Sequence, residues 1–331
     1  MQGIRRVLRA GTALVLALAL CGAVGAGAAD MSRRLVPVGH TVGIKLFARG
    51  VVVVKLPEGG TPARTGGLQT GDVIVKCGGS AVTSSEQFKA LLQESGGAAT
   101  DLQVRRDGDS VTLSVEPSQN DQGVYGIGAW IRDSMAGIGT VTYYDPDTGE
   151  FGALGHGITD VDTAQLMPFA NGSVLPSTVK AVRKGEHGTA GELRGDFDLT
   201  GDLGSLSANT NSGIFGTLEP DAGSLPLGEA LPVGMARPGP AVIRTNVRGD
   251  TVEEFEIQIQ KVIPQAADGR DLVLTVTDPE LIALTGGIVQ GMSGSPIIQD
   301  GNLVGAVTHV LLNDPTKGYG ILIETMLKAA E

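Results

Sequence analysis

Residues Gly291 to Val310 read GMSGSPIIQDGNLVGAVTHV, and the order of residue types in this stretch decides the fold class. Gly291 and Gly294 bracket Met292 and Ser293, so the chain can turn sharply there. Pro296 opens an apolar run, Asp300-Gly301 supplies a two-residue hairpin turn, and a second apolar run follows from Leu303. A turn this tight projects the Ser293 hydroxyl and lets the backbone N–H groups of Gly291 and Ser293 point together. The hydroxyl is then a candidate nucleophile and the two N–H groups a candidate oxyanion hole. The phrase alone is equally a Gly/Ser turn between strands, so the reading needs a base elsewhere in the chain.

Four histidines are available. His156 lies between two glycines in GHGITD, at the end of a short strand pattern, Glu150 to Leu154, and is the candidate base. His187 sits in the charged loop RKGEHG, where a solvated side chain is the plain reading. His40 precedes the first strands. His309 falls on the second strand after Ser293, and a core or edge-strand histidine is a natural alternative to any role in substrate contact.

Working outward, 331 residues suit two compact units and a short extra segment. With 50 glycines and only 4% aromatic residues, the composition favours short strands and tight turns, hence a mainly β protein. The net charge of -11 has no basic stripe interleaved with aromatics, so nucleic acid is not an expected partner. Arg5, Arg6 and Arg9 followed by the uncharged run Ala10 to Ala29 predict an export signal over 1–29, either cleaved near Ala28 or retained as a membrane anchor. Leu20 before Cys21 argues against lipidation. Cys77 is then the sole cysteine of the exported part, which excludes an intrachain disulfide and reads as a small buried strand residue.

Val42 to Leu46 and Gly50 to Leu56 read as strands, and GGLQTGDVIVKCGG from Gly66 to Gly79 as a turn, a strand and a second turn. Ser84 with Gln87 forms a capping box ahead of a helix carrying Phe88, Leu91 and Leu92 on one face. Two strands flanking the Asp107-Gly108 turn close the unit near Pro117. On GLQTGDVIVKCGGSAV and the capped helix, residues 38–117 resemble a bacterial PDZ domain. The resemblance implies that Gly43, Ile44, Lys45 and Leu46 form the peptide-binding loop, which accepts a carboxylate or an extended strand. An edge strand beside a vacant groove is the other reading. A polar linker is expected over 118–123, and a second domain of many short strands over 124–331, with a helix at Pro279 to Thr285.

The phrase around Ser293 is similar to the nucleophile loop of chymotrypsin-like peptidases. The whole second domain resembles the stage IV sporulation protein B peptidases, through GALGHGITD, TDPELIALTGGIVQGMSGSPII and GAVTHVLLNDPTKGYGILIE. That resemblance implies a chymotrypsin-like double β-barrel after the PDZ domain and a triad of Ser293, His156 and Asp278, with no cofactor and no metal. His309 is then a substrate-binding candidate on the wall of the specificity pocket. Asp196, Asp198 and Asp202 occupy the stretch where such enzymes usually carry the acid, and stay open as rivals to Asp278. The resemblance further implies a protein or peptide substrate, a PDZ ligand peptide that includes the chain's own tether, export to the space between the two membranes around a developing spore, self-cleavage within the polar tether Asp30 to Thr41, and cleavage of a membrane-bound regulator of an intramembrane protease. A non-catalytic PDZ scaffold with a degenerate peptidase domain is the alternative.

Overall fold

The valine run that marks a buried strand lies at the far end of a longer one, and this length organises the molecule. The computed structural model describes residues 32–198, 201–219, 225, 227–266 and 268–331; the expected export signal lies outside the described residues. In chain order the elements are β1 (Arg34–Pro37), β2 (Thr41–Lys55), α1 (Pro62–Thr65), β3 (Val73–Cys77), α2 (Ser85–Glu94), β4 (Thr100–Arg106), β5 (Asp109–Val115) and β6 (Trp130–Tyr144). They continue with β7 (Glu150–Ala153), β8 (Phe169–Arg183), β9 (Glu192–Phe197), β10 (Gly204–Thr210), β11 (Gly213–Leu218), β12 (Gly239–Arg248), β13 (Thr251–Val262) and β14 (Leu272–Val276). The last are α3 (Pro279–Thr285), β15 (Pro296–Gln299), β16 (Asn302–Leu311), β17 (Asp314–Leu322) and α4 (Ile323–Ala330).

Two barrels result. In the first, β6 pairs β7, then β11, β10, β8 and β2 follow, and β2 pairs back onto β6. The second closes through β12, β13, β14, β17, β16 and β15. Alternation drives the second barrel: along β13, Phe255, Ile257 and Ile259 point inward while Glu254, Glu256 and Gln258 face outward, and Leu272, Leu274 and Val276 do the same along β14. Val42, Val141, Phe151, Val174 and Ile214 fill the first barrel. The predicted Asp-Gly hairpin turns form at both places, with Asp107 and Gly108 at φ 49° and 90° and Asp300 and Gly301 at 50° and 78°.

The PDZ unit is inserted into the first barrel rather than placed ahead of it. β2 and β6, fifteen residues each, run antiparallel from Thr41↔Thr140 inside the barrel to Lys55↔Trp130 inside the PDZ unit. One ribbon thus belongs to both. The PDZ core joins Val51, Val53, Ile74, Phe88, Leu92 and Leu102 to Ile127, with Ala129 and Ile131 packed against it. The strand pairing runs across the boundaries expected at residues 38 and 117. Residues 41–48 serve the barrel, and the PDZ unit extends to about Ile131 because β6 fills the edge of the valine strand. Within the stretch expected as a linker, 118–123, Ser118 and Gln119 pair with Gly126 and Tyr125, and the Gln93 side chain of α2 binds both the N–H and the carbonyl of Tyr125. Ser84 caps α2 as predicted, accepting from the Gln87 N–H at 3.1 Å, while the Gln87 side-chain Oε1 reaches back to accept from the N–H of Thr83.

Candidate active site

The Ser293 loop is fixed from both barrels. The Gly294 N–H donates to Val307 O (2.8 Å), the Val307 N–H to Ser295 O, and the Ser295 hydroxyl and N–H both donate to Met292 O. From the first barrel, buried Thr140 donates its N–H to Ser293 O (3.0 Å) and its hydroxyl to Gly291 O (2.7 Å). Gly294 cannot be replaced here: its φ is +98°, and a Cβ would lie 2.0 Å from Thr140 O. The N–H groups of Gly291 and Ser293 donate to none of the described residues, and both residues line the same cavity. The Ser293 hydroxyl itself donates to Thr308 O at 2.8 Å.

His156 enters that cavity from the first barrel. The chain leaves β7 through Leu154 and Gly155, both with positive φ (68° and 70°), a turn that swings the imidazole into the cleft. Its Nδ1 lies 2.9 Å from the Gly157 carbonyl. A carbonyl only accepts, so Nδ1 carries the proton and Nε2 is left with a lone pair. Burial depresses the His156 pKa below its ordinary value, with the Gly157 bond opposing. Asn209, from the end of β10, secures the next residues: its Oδ1 accepts from the Ile158 N–H (2.8 Å) and its Nδ2 donates to Ile158 O and Met167 O. The His309 ring stands 5.3 Å from that of His156, with a buried Nδ1 that has no partner among the described residues. Burial first, then the nearby His156 and Arg270, push its pKa down to about 4. The cavity between the barrels measures about 640 Å³, with Met135, Ile138 and Leu193 among its apolar lining.

A sequence model of the family described as SpoIVB peptidase S55 matches residues 123–327, and one of the PDZ domain matches residues 28–116. The chain belongs to the SpoIVB peptidase S55 family. It is a serine peptidase carrying a PDZ domain. Among curated proteins, the serine protease Do-like HtrA of Lactococcus lactis is 42% identical over 72 residues, covering 22% of this chain and 18% of that protein. The zinc metalloprotease RasP of Oceanobacillus iheyensis is 34% identical over 59 residues, covering 18% of this chain and 14% of its own length. The match takes in less than a quarter of the length of these curated relatives. Among solved structures, the active form of the Rv3671c protease from M. tuberculosis aligns over 60% of this chain and 73% of its own at 16% identity and a TM-score of 0.31. The PDZ domain of an SdrC-like protein from Listeria monocytogenes aligns over 25% of this chain and 87% of its own, at 22% identity and a TM-score of 0.23.

In this S55 peptidase, Ser293, His156, Gly291 and His309 meet in one cavity. Asp278 does not line it. Its Oδ1 accepts from the N–H groups of Glu280 and Leu281 (2.9 and 3.0 Å) and its Oδ2 from that of Glu256, so the carboxylate caps α3. Asp196, Asp198 and Asp202 lie exposed and outside the cavity as well. Among the described residues no carboxylate hydrogen-bonds His156; the Gly157 carbonyl holds the tautomer instead.

Gly43, Ile44, Lys45 and Leu46 are not a peptide-binding loop. They pair with Ile138 to Met135 of β6 on one side and with Leu175 to Gly172 of β8 on the other, so neither edge can take another strand. Sequence reading missed Thr140 and Asn209. An asparagine within the strand pattern LSANTN was a usable sign, since a polar side chain at a strand end must find partners; nothing in GIGTVTYY marks Thr140.

Proposed function

We propose that this serine peptidase is an exported endopeptidase of sporulation signalling, which cuts itself and a membrane-bound regulator of an intramembrane protease through an acyl-enzyme. The observation that carries the catalytic part is the meeting of Ser293, His156 and two unbonded N–H groups in one cavity. The Ser293 hydroxyl rotates off Thr308 O, gives its proton to His156 Nε2 and attacks the carbonyl, whose oxygen settles on the Gly291 and Ser293 N–H groups. His156 then protonates the leaving amine. His309, neutral at physiological pH, walls the acyl side. The pathway, the export and the substrate rest on the resemblance of the quoted motifs to the sporulation family.

The tether narrows. Residues 34–37 form β1, paired to β6 and to Leu231 and Pro232, and Leu35, Val36 and Val38 are buried. A peptidase needs an extended, accessible segment, so self-cleavage belongs N-terminal to Arg34. Fluorophosphonate labelling tests the enzyme: wild type takes the label and Ser293→Ala does not. Mass spectrometry of the mature N-terminus tests self-cleavage. A shorter wild type than Ser293→Ala supports it, and identical N-termini in both overturn it.

A further inference from the structure

β6 has one open edge, and it runs from the PDZ unit into the catalytic cavity. On one side β6 pairs with β2 and β1; on the other it pairs with β7, and only at Val141, Tyr143 and Tyr144. From Trp130 to Gly139 that second edge has no strand partner among the described residues. The direction of its hydrogen-bonding groups follows from Thr140, whose N–H donates to Ser293 O and whose carbonyl accepts from the Leu154 N–H, both on the open side. The irregularities in the β2–β6 pairing fall in β2, so the two-residue alternation persists along β6. Ile138, Ala136, Ser134, Arg132 and Trp130 therefore aim their N–H and carbonyl groups the same way.

This row is accessible. Ala136 and Gly137 are exposed, a Cβ built on Gly137 meets nothing within 4 Å, and Trp130 is 65% exposed. One end of the row, Met135 to Ile138, lines the cavity that holds Ser293. The other end lies beside α2, where the Ser85 N–H donates to Asp133 Oδ2 at 2.7 Å. Eight residues separate the ends, about 26 Å at ~3.3 Å per residue.

We infer that this edge is a single strand-addition track for the part of a polypeptide substrate that follows the scissile bond. The inference rests on the peptidase reading above. The nucleophile and the oxyanion donors belong to the second barrel and hold the acyl half. His156, which protonates the leaving amine, belongs to the first barrel, so the leaving half departs on the side of β6. From the scissile bond beside Thr140 the leaving half runs toward Trp130, antiparallel to β6, and an extended chain in that orientation satisfies every second backbone group of the open edge. A substrate with about eight residues after the cut reaches the PDZ unit without leaving the ladder, so the PDZ unit and the cleft read one continuous segment.

Acyl transfer tests the track on the wild-type protein. p-Nitrophenyl butyrate acylates Ser293, and amidated Ala-Thr repeat peptides of two to ten residues compete with water for the acyl group. The ratio of transfer to hydrolysis is expected to rise about tenfold or more between two and eight residues, since six further residues add about six backbone hydrogen bonds whose net gain is reduced by the cost of ordering the peptide. N-methylation of the eight-residue peptide, one amide at a time, should lower the ratio at every second position. A ratio that stays flat beyond the second residue, or N-methyl losses without alternation, overturns the track while the acylation burst leaves the peptidase reading standing. Absence of any burst overturns both.

Discussion

The two loops that meet in the cavity are held in different ways. The Ser293 loop has hydrogen bonds from its own barrel on one side and from Thr140 on the other, and two positive-φ glycines that let the backbones approach. Among the described residues His156 has one bond, to the carbonyl of its own neighbour, and the loop after it depends on Asn209. On the roles proposed above, rigidity is concentrated where charge would develop: oxyanion stabilisation demands donors fixed to a few tenths of an ångström, whereas a general base can swing to meet its proton.

The sharpest break of this comparison is removal of either reacting group. Ser293→Ala and His156→Ala should each lower kcat by about 10⁴-fold or more in a peptide-cleavage assay, with unchanged circular dichroism, since such residues act as a unit. Thr140→Val removes the hydroxyl that ties the nucleophile loop to the first barrel and strands the Gly291 carbonyl. It should cost about 1–3 kcal/mol in urea unfolding and lower kcat more than it raises KM. Asn209→Ala should loosen the histidine loop instead, with a smaller loss of kcat that falls chiefly on the proton-transfer step and so shows as a change in the solvent isotope effect.

Acid separates the loops by titration. The His156 pKa lies below its ordinary 6.5, so the base stays neutral and kcat/KM should hold as pH falls through 6.5 and drop only below it. His309 titrates in the folded protein near 4 and near 6.5 when unfolded; between those values the unfolded chain binds a proton that the folded one does not. Stability should therefore decline as pH falls from 6.5 to 4, and His309→Asn should flatten that decline in a pH series of thermal melts. The smallest effect is expected at Asp278. Asp278→Asn keeps a good cap and should change kcat by no more than about threefold, and Asp278→Ala should cost about 1 kcal/mol of stability. A loss of about 10⁴ in Asp278→Asn, by contrast, would mean that the carboxylate leaves α3 to reach His156 during turnover.

The second barrel was legible because its signals are local. GMSGSP, the Asp300-Gly301 turn and the alternation of β13 each report on residues near them in sequence. The first barrel was expected only through the family resemblance; its closure was not legible, because its ring closes through β2 and β6, which are separated by the whole PDZ unit, and no periodicity reveals that a valine strand will continue across two units. The placement of Gly43 to Leu46 failed for this reason: the pattern announced a strand and left its neighbours unstated. Asp278 shows a second limit. Asp followed by Pro279 and Glu280 is as strong a helix start as it is a candidate acid, and three backbone N–H groups claim it.

The shared ribbon has a mechanical consequence. Two units joined by a flexible segment sample many orientations, and a peptide held by one meets the other at a local concentration set by the length of that segment. Here β2 and β6 pass through both units as a paired beam, with the short sheet at Ser118–Gln119 and Tyr125–Gly126 folded back onto α2. Swivelling the PDZ unit means twisting that beam, and the residues at its barrel end are Ile138 and Thr140, which touch the cleft and the Ser293 loop. The PDZ unit is geared to the cleft through that beam, so a load on the first would be felt as torsion at the second.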